Sequence, residues 1–115
     1  MTDTEIAELM ETQYLSIFEN RDELAAACQT FAQLNQFIKN LNQANLNALQ
    51  SRQRIFAVNE ERVRELFGEL TVAQQHIEAS LANLHNIAGV LNSISSGVQI
   101  ALQLLKPPLA VAAIV

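Results

Sequence analysis

The chain contains few of the residues that form loops, sheets and disulfides. Its 115 residues include three glycines, two prolines, one cysteine and no tryptophan, and only 5% are aromatic. The scarcity of glycine and proline leaves little room for loops, and an abundance of Leu, Ala, Gln and Asn favours helices packed on helices over a sheet. A single cysteine, Cys28, cannot form an intrachain disulfide, so we expect a fold that does not depend on an oxidising compartment.

Charge is also missing from a long stretch of the chain. No Asp, Glu, Lys or Arg occurs from residue 79 to 105, where a typical soluble segment of this length would carry roughly seven. The net charge is −5, and the one basic run, between Arg52 and Arg64, is interrupted by glutamates. Phosphate binding needs clustered cations, so we expect no nucleic-acid partner. We expect the uncharged segment to face something other than plain water.

An unbroken heptad pattern covers residues Val63 to Leu105, and only Ser80 departs from apolar at the a and d positions. Such a seam needs partner helices, and the e and g positions are also largely apolar or small, so the buried face is wider than that of a dimeric coiled coil. The pattern therefore predicts a bundle of more than two helices. The predicted interface consists of Leu84, Ile87, Leu91, Ile94, Val98, Ala101, Leu102 and Leu105.

Turn and capping signals predict an all-α fold built on a long antiparallel helical hairpin. Thr2 and Glu5 have the spacing of a capping box, so a helix should begin near Asp3. Gly68 suits a left-handed helix end, and Thr71 would cap the next helix, which places the hairpin turn near 68–71 and the helices at 3–67 and 71–106. A break near Asn20 is the alternative, and it would give three helices.

The end of the second helix is predicted by Lys106 and the Pro107-Pro108 pair, because proline cannot extend a helix. The expected organisation is therefore a helical domain over 1–106, assembling into a multi-helix coiled-coil-like bundle, and an apolar tail over 107–115. An exposed tail of this composition would favour aggregation, so we expect it to pack against something.

Small residues recur every four positions in the uncharged segment, at Gly89, Ser93 and Gly97. They predict close packing of helix backbones, an arrangement that is also common between helices in lipid. Residues 87–105 approach the ~20 residues needed to span a bilayer. Six Asn, Ser and Gln residues oppose a lone spanning helix, because each would need a partner in lipid, so insertion as part of an oligomer is the more plausible membrane alternative.

The sequence offers no constellation suited to catalysis. His76 and His85 are nine residues apart and therefore lie on opposite sides of a helix, where they cannot share one metal ion. A Gly-rich phosphate loop, a Ser-His-Asp set and a CxxC motif are absent. We therefore predict a non-enzymatic protein with no catalytic residue, metal or cofactor.

The leading hypothesis is a helical assembly protein that self-associates or binds a helical partner through its heptad face and apolar C-terminal segment. The alternative is a pore-forming or export-system protein whose residues 87–115 contact or enter lipid. Cytoplasm is the default location because no signal peptide is visible, with signal-independent export or membrane association left open. The chain loosely resembles small exported helical-hairpin proteins of bacteria in length, acidity and hairpin pattern, but it has no Trp-x-Gly turn, so no family is assigned.

Overall fold

A computed structural model of the chain describes residues 1–113, which form helices and one short two-stranded sheet. The helices of this bundle confirm the all-α prediction. In chain order the elements are α1 (Asp3–Glu19), α2 (Arg21–Ala27), α3 (Phe31–Ser51), β1 (Arg54–Phe56), α4 (Glu61–Ser80), a 3-10 turn (Leu84–Asn86), α5 (Ile87–Leu105) and β2 (Ala110–Ala112).

Four long helices, α1, α3, α4 and α5, build a bundle of 43 × 25 × 20 Å. Helix α3 packs between α1 and α5, and α4 packs along α5. Arg62 near the start of α4 contacts Gln103 near the end of α5, whereas Ala73, further along α4, lies beside Gly97. Helices α4 and α5 are therefore antiparallel.

Helices α3 and α5, in contrast, run in the same direction. The side-chain amide of Asn40 donates to the Ser95 hydroxyl at 2.8 Å. Further along both helices, the side-chain amide of Asn47 donates to the Val98 backbone carbonyl at 3.2 Å. Contacts therefore advance along both helices together. The two helices lie side by side and share one side of the bundle.

The predicted turn at 68–71 is wrong, because α4 continues without interruption from Glu61 to Ser80. Gly68 lies in the middle of this helix, and no glycine among residues 1–113 has a positive φ. The Thr71 hydroxyl donates to the Phe67 carbonyl at 2.9 Å instead of capping a new helix. The buried side chains of Leu66, Leu70 and Ala73 stabilise the continuous helix by more than the ~1 kcal/mol that a glycine costs. The hairpin turn lies at 81–86 instead.

The break near Asn20 is confirmed, and it is followed by two further breaks, at 28–30 and at 52–60, that the sequence did not predict. The Asn20 backbone N–H donates to the Ile17 carbonyl and its side chain donates to the Ser16 carbonyl at 2.7 Å, which closes α1. After the short α2, the Thr30 side chain accepts from the backbone N–H of Gln33 at 3.1 Å and begins α3. The predicted single helix over 3–67 is therefore wrong. The chain folds back on itself and supplies its own partner helices.

Both outer helix ends agree with the capping signals. The Thr2 hydroxyl accepts from the Glu5 backbone N–H at 3.1 Å, and α1 begins at Asp3 as predicted. Helix α5 ends at Leu105, immediately before Lys106 and the two prolines, also as predicted. Proline lacks the N–H that another helical turn would need.

The apolar tail forms strand β2, which pairs antiparallel with β1. Two further backbone hydrogen bonds flank the paired residues. The Ala113 N–H donates to the Gln53 carbonyl, and the Ala57 N–H donates to the Leu109 carbonyl, each at 2.8 Å. Ala110 is buried against the core. The segment 107–113 therefore packs on the bundle through a strand that sequence periodicity did not indicate. Ile114 and Val115, the last residues of the predicted tail, lie outside the described part of the chain.

The core consists of two apolar clusters with a polar layer between them. One cluster lies near the sheet and includes Ile6, Leu66 and Leu104, and the other lies near the 81–86 turn. Between them lie four polar side chains that we call the polar layer: Gln13, Ser16, Asn47 and Gln74. Each of the four long helices except α5 contributes to this layer, and α5 passes it at Gly97 and Val98.

Candidate interaction surface

The predicted interface residues lie mainly inside the bundle. Six of them are buried against other helices of the same chain, and the remaining two, Leu84 and Leu102, are half-buried; the buried set is Ile87, Leu91, Ile94, Val98, Ala101 and Leu105. The partner helices that the heptad seam requires are therefore α1, α3 and α4. A second molecule could contact this seam only if the bundle opened.

The three small residues of α5 have different surroundings. A Cβ atom at Gly97 would lie 2.7 Å from Gln13 Nε2 and 2.9 Å from Ile77 Cδ1, so glycine allows α1 and α4 to approach α5 closely there. Gly89 lies in the first turn of α5, where its N–H donates to the Asn86 side chain. Ser93 is half-buried. Close packing between helices therefore depends on Gly97 in particular.

Charge is distributed very unevenly over the four long helices. All 12 Asp and Glu residues lie outside α3 and α5, and the only Lys or Arg within those two helices is Lys39. At the usual ~25% charged content, the forty residues of α3 and α5 would carry about ten charges. Because α3 and α5 are neighbours, their exposed sides form one broad surface with a single charge.

Helix α3 exposes large apolar side chains on this surface. Phe31 is 77% exposed, and Ile38, Leu46 and Leu49 are 44%, 48% and 49% exposed. At ~100° per residue these four positions fall within an arc of about 80° on one side of the helix. Scattered exposed apolar residues are ordinary on soluble proteins, whereas these four form one row on a helix whose only charged residue is Lys39.

Amide side chains occupy the same surface. A groove of about 740 Å³ runs between α3 and α5, lined by Ala32, Asn35, Gln36, Lys39, Asn40, Asn42, Gln43, Leu46 and Gln99. The Ser95 hydroxyl accepts from Gln36 at 3.0 Å and from Asn40 at 2.8 Å, which fixes the deeper amides. The outer amides of Asn35, Asn42 and Gln99 have no protein hydrogen bond described within the chain. We call the exposed surface of α3 and α5 the neutral face; it comprises Phe31, Asn35, Ile38, Lys39, Asn42, Leu46, Leu49, Asn92 and Gln99.

The heptad pattern did not predict the neutral face, because it covers only Val63 to Leu105 and does not include α3. A signal was present, since Lys39 is the single charged residue between Leu24 and Ser51. Counting charge over windows of the whole chain would have identified α3 together with α5.

Most charged side chains of residues 1–113 lie on the other helices, where some of them form ion pairs. Arg52 pairs with Glu11 at 2.6 Å across α1 and the end of α3, and Arg62 pairs with Glu65 at 3.3 Å on α4. Within residues 1–113 no three His, Cys, Asp or Glu side chains come together in a group that could hold a metal ion. Burial raises the pKa of the Cys28 thiol, which makes it a weaker nucleophile at neutral pH.

One helical segment of the described chain, Leu84–Leu105, is long and apolar enough to cross a membrane by length and composition. The core helix of a soluble bundle meets the same criterion, and one side of this helix is the buried seam. Its exposed side carries Asn92, Ser96, Gln99 and Gln103. The segment is therefore weak evidence for a membrane role.

No protein-family model, curated protein or solved structure matches this chain. A functional proposal therefore depends on the chain's own surface. The neutral face is the part of that surface that differs most from the charged exterior of an ordinary soluble helix bundle.

Proposed function

We propose that the protein is a non-enzymatic interaction module that assembles with a second copy or with another helical protein through its neutral face. The observation that carries this proposal is the coincidence of scarce charge with exposed apolar side chains on α3. The centres of protein interfaces are depleted of charged residues and enriched in aromatic ones. Phe31 and Ile38 on an almost uncharged surface match that composition.

The location of the proposed surface differs from the one expected from the heptads. The seam residues of α5 are buried against α1, α3 and α4, and this burial stabilises the fold. The neutral face lies on the outer side of α3 and α5 and is free for a partner without any rearrangement of the bundle. The apolar pair Ile55 and Val111 on the exposed side of the sheet is a smaller patch at one end of the bundle.

The energy available from this surface suits reversible binding. Covering the exposed parts of Phe31, Ile38, Leu46 and Leu49 would contribute about 5 kcal/mol from this chain, at 1–2 kcal/mol for each side chain. A partner adds a similar amount, and association costs roughly 4–15 kcal/mol. Additional hydrogen bonds from Asn35 and Asn42 would favour a defined orientation.

Photocrosslinking in the cells that make this protein tests the proposal directly. A benzophenone amino acid placed at Ile38 should form protein adducts on illumination, because position 38 lies on the neutral face. The matched control has the same group at Glu65, which is exposed on the charged surface of α4 and should form far fewer adducts. Protein adducts at 38 that are absent at 65 support the proposal. Absence of protein adducts at 38, or equal yields at both positions, overturns it.

A membrane-acting protein is the second candidate, favoured by the apolar Leu84–Leu105 segment. Lipid would face the amides of Asn92, Gln99 and Gln103 if α5 entered it from the exposed side, and unpaired amides are costly in hydrocarbon. Entry through the apolar side would require the core to open. Flotation of the full chain with vesicles of phosphatidylcholine and phosphatidylglycerol tests this candidate: co-flotation supports it, and protein left in the dense fraction removes it.

A further inference from the structure

We propose that the partner of the neutral face is a second copy of this chain, so that α3 and α5 of two molecules pack across a two-fold axis. This inference rests on the proposed function and makes that function more specific, because it names the molecule that binds the neutral face. Three features of the face support it: its charge distribution, the hydrogen-bonding character of its amides and its size.

Charge distribution selects this pair of helices for self-association. The chain has a net charge of −5, and its acidic residues lie on α1, α2 and α4 or beside them. Two copies that met through those helices would bring carboxylates together, and like charges across an interface are unfavourable. Among the long helices described, only α3 and α5 form a neighbouring pair that avoids this repulsion. A basic partner would instead be attracted to the acidic surface of α1.

The amides make the face complementary to itself. Each Asn or Gln side chain carries both a donor and an acceptor, so Asn42 of one copy can pair with Asn42 or Asn35 of the other. A two-fold interface requires this property, because the same patch must bind its own image. The exposed side chains of Ile38 and Leu46 would be covered in the same contact.

The dimensions of the face fit a weak, reversible dimer. Helix α3 has 21 residues and is therefore about 31 Å long, and two adjacent helices are about 20 Å wide. The resulting area of about 600 Å² on each copy is somewhat below the ~800 Å² per partner of a standard interface. Lys39, the single charge on the face, has a long stem that can carry its ammonium group to the rim. A dissociation constant in the micromolar range is the expected outcome.

Sedimentation equilibrium of the full chain between about 5 and 500 μM tests the dimer. We expect a reversible shift from the 12.7 kDa monomer toward twice that mass. Since the interface contains almost no charge, its dissociation constant should change less than about threefold between 50 and 500 mM NaCl. A chain that stays monomeric throughout, or a dimer that salt strongly dissociates, overturns the inference.

Charged substitutions locate the interface. The double variant Ile38→Asp/Leu46→Asp should raise the dissociation constant at least fiftyfold, and circular dichroism should show an unchanged helix content because both side chains point outward. Asn42→Glu, at an exposed position with no described hydrogen bond, provides a second variant with the same expected direction. The matched control is Val72→Asp, at a similarly exposed apolar position on α4, and it should dimerise like the wild type.

Three outcomes bear on this inference and on the proposed function. If Asn42→Glu and the double variant both dimerise normally, or if Val72→Asp dissociates equally, the neutral face is not the dimer interface. A monomeric chain whose position 38 still crosslinks to a different protein in cells overturns the second-copy inference and leaves the interaction proposal standing. If the wild-type chain stays monomeric and position 38 forms no protein crosslinks, both the second-copy inference and the interaction proposal are overturned.

Discussion

Replacing Gln13 by methionine should make the protein more stable. Gln13 is completely buried in the polar layer, and neither its amide nitrogen nor its amide oxygen has a hydrogen-bond partner in the protein. Its side chain lies against Ile77 and the α5 backbone at Gly97. Methionine is unbranched and of similar length, so Gln13→Met removes the amide with little change in shape.

The size of the effect follows from the cost of a buried amide without partners. Leaving such a group unsatisfied costs about 1–3 kcal/mol, and replacing it by an apolar group of the same shape recovers part of that cost. We expect the free energy of unfolding to rise by about 1–2 kcal/mol. For a chain of this length each kcal/mol corresponds to about 4 °C in Tm, at ~2.1 cal/mol/K per residue, so Tm should rise by about 4–8 °C.

Urea unfolding and calorimetry of Gln13→Met measure this change, with Gln74→Met as the matched control. Gln74 lies in the same polar layer, and its amide oxygen also has no partner, but its amide nitrogen donates to Ser16 at 2.9 Å and to Glu78 at 3.3 Å. The control should therefore lose about 1 kcal/mol. The reasoning is refuted if Gln13→Met lowers stability by more than about 1 kcal/mol, or if the control gains more than Gln13→Met.

Three further changes test other parts of the structure. Gly68→Ala should raise the free energy of unfolding by about 0.5–1 kcal/mol, because a Cβ at this mid-helix position meets open space. A decrease in this free energy, measured by urea unfolding, would instead place Gly68 at a turn. Gly97→Ala should lower the free energy of unfolding by about 1–2 kcal/mol. The new Cβ would clash with Gln13 and Ile77, and this cost exceeds the gain in helix propensity; unchanged stability would contradict the close packing. Burial raises the pKa of the Cys28 thiol in the folded state, so the pH midpoint of its reaction with iodoacetamide should be higher in the folded chain than in urea. For the same reason, the contribution of Cys28 to stability should fall as the pH rises from its unfolded-state pKa to its folded-state pKa. Equal midpoints would show that Cys28 is not desolvated.

Two of the three capping signals, Thr2 and Asn20, marked real helix boundaries, whereas Thr71 lies inside a continuous helix. The Thr2 hydroxyl caps α1 as predicted, whereas Asn20 makes no side-chain cap to α2 and its amide instead donates to the Ser16 carbonyl near the end of α1. Gly68 misled, since a helix tolerates a glycine when its neighbours bury enough apolar surface. The real turn contains Asn83 and Asn86 but neither glycine nor proline, so its composition resembles that of the helices around it.

The heptad pattern identified buried residues but could not tell which molecule covers them. A seam such as Leu91 to Val98 requires partner helices, and periodicity is the same whether those helices belong to this chain or to another. The breaks at 28–30 and 52–60 separate α1, α3 and α4, so the chain itself supplies these partner helices. Periodicity does not separate the neutral face from the buried side of α3, because apolar residues occur on both sides, and the scarcity of charge is what indicates it.

The most direct measurement is a dilution series of amide NMR spectra of the full chain. Between millimolar and low micromolar concentration, we expect shift changes to cluster on the outer side of α3 and α5, around Ile38, Asn42, Leu46 and Gln99, with α4 unaffected near Val72. Spectra that do not change with concentration, or changes confined to α1, α4 or the strands, would contradict a self-binding neutral face.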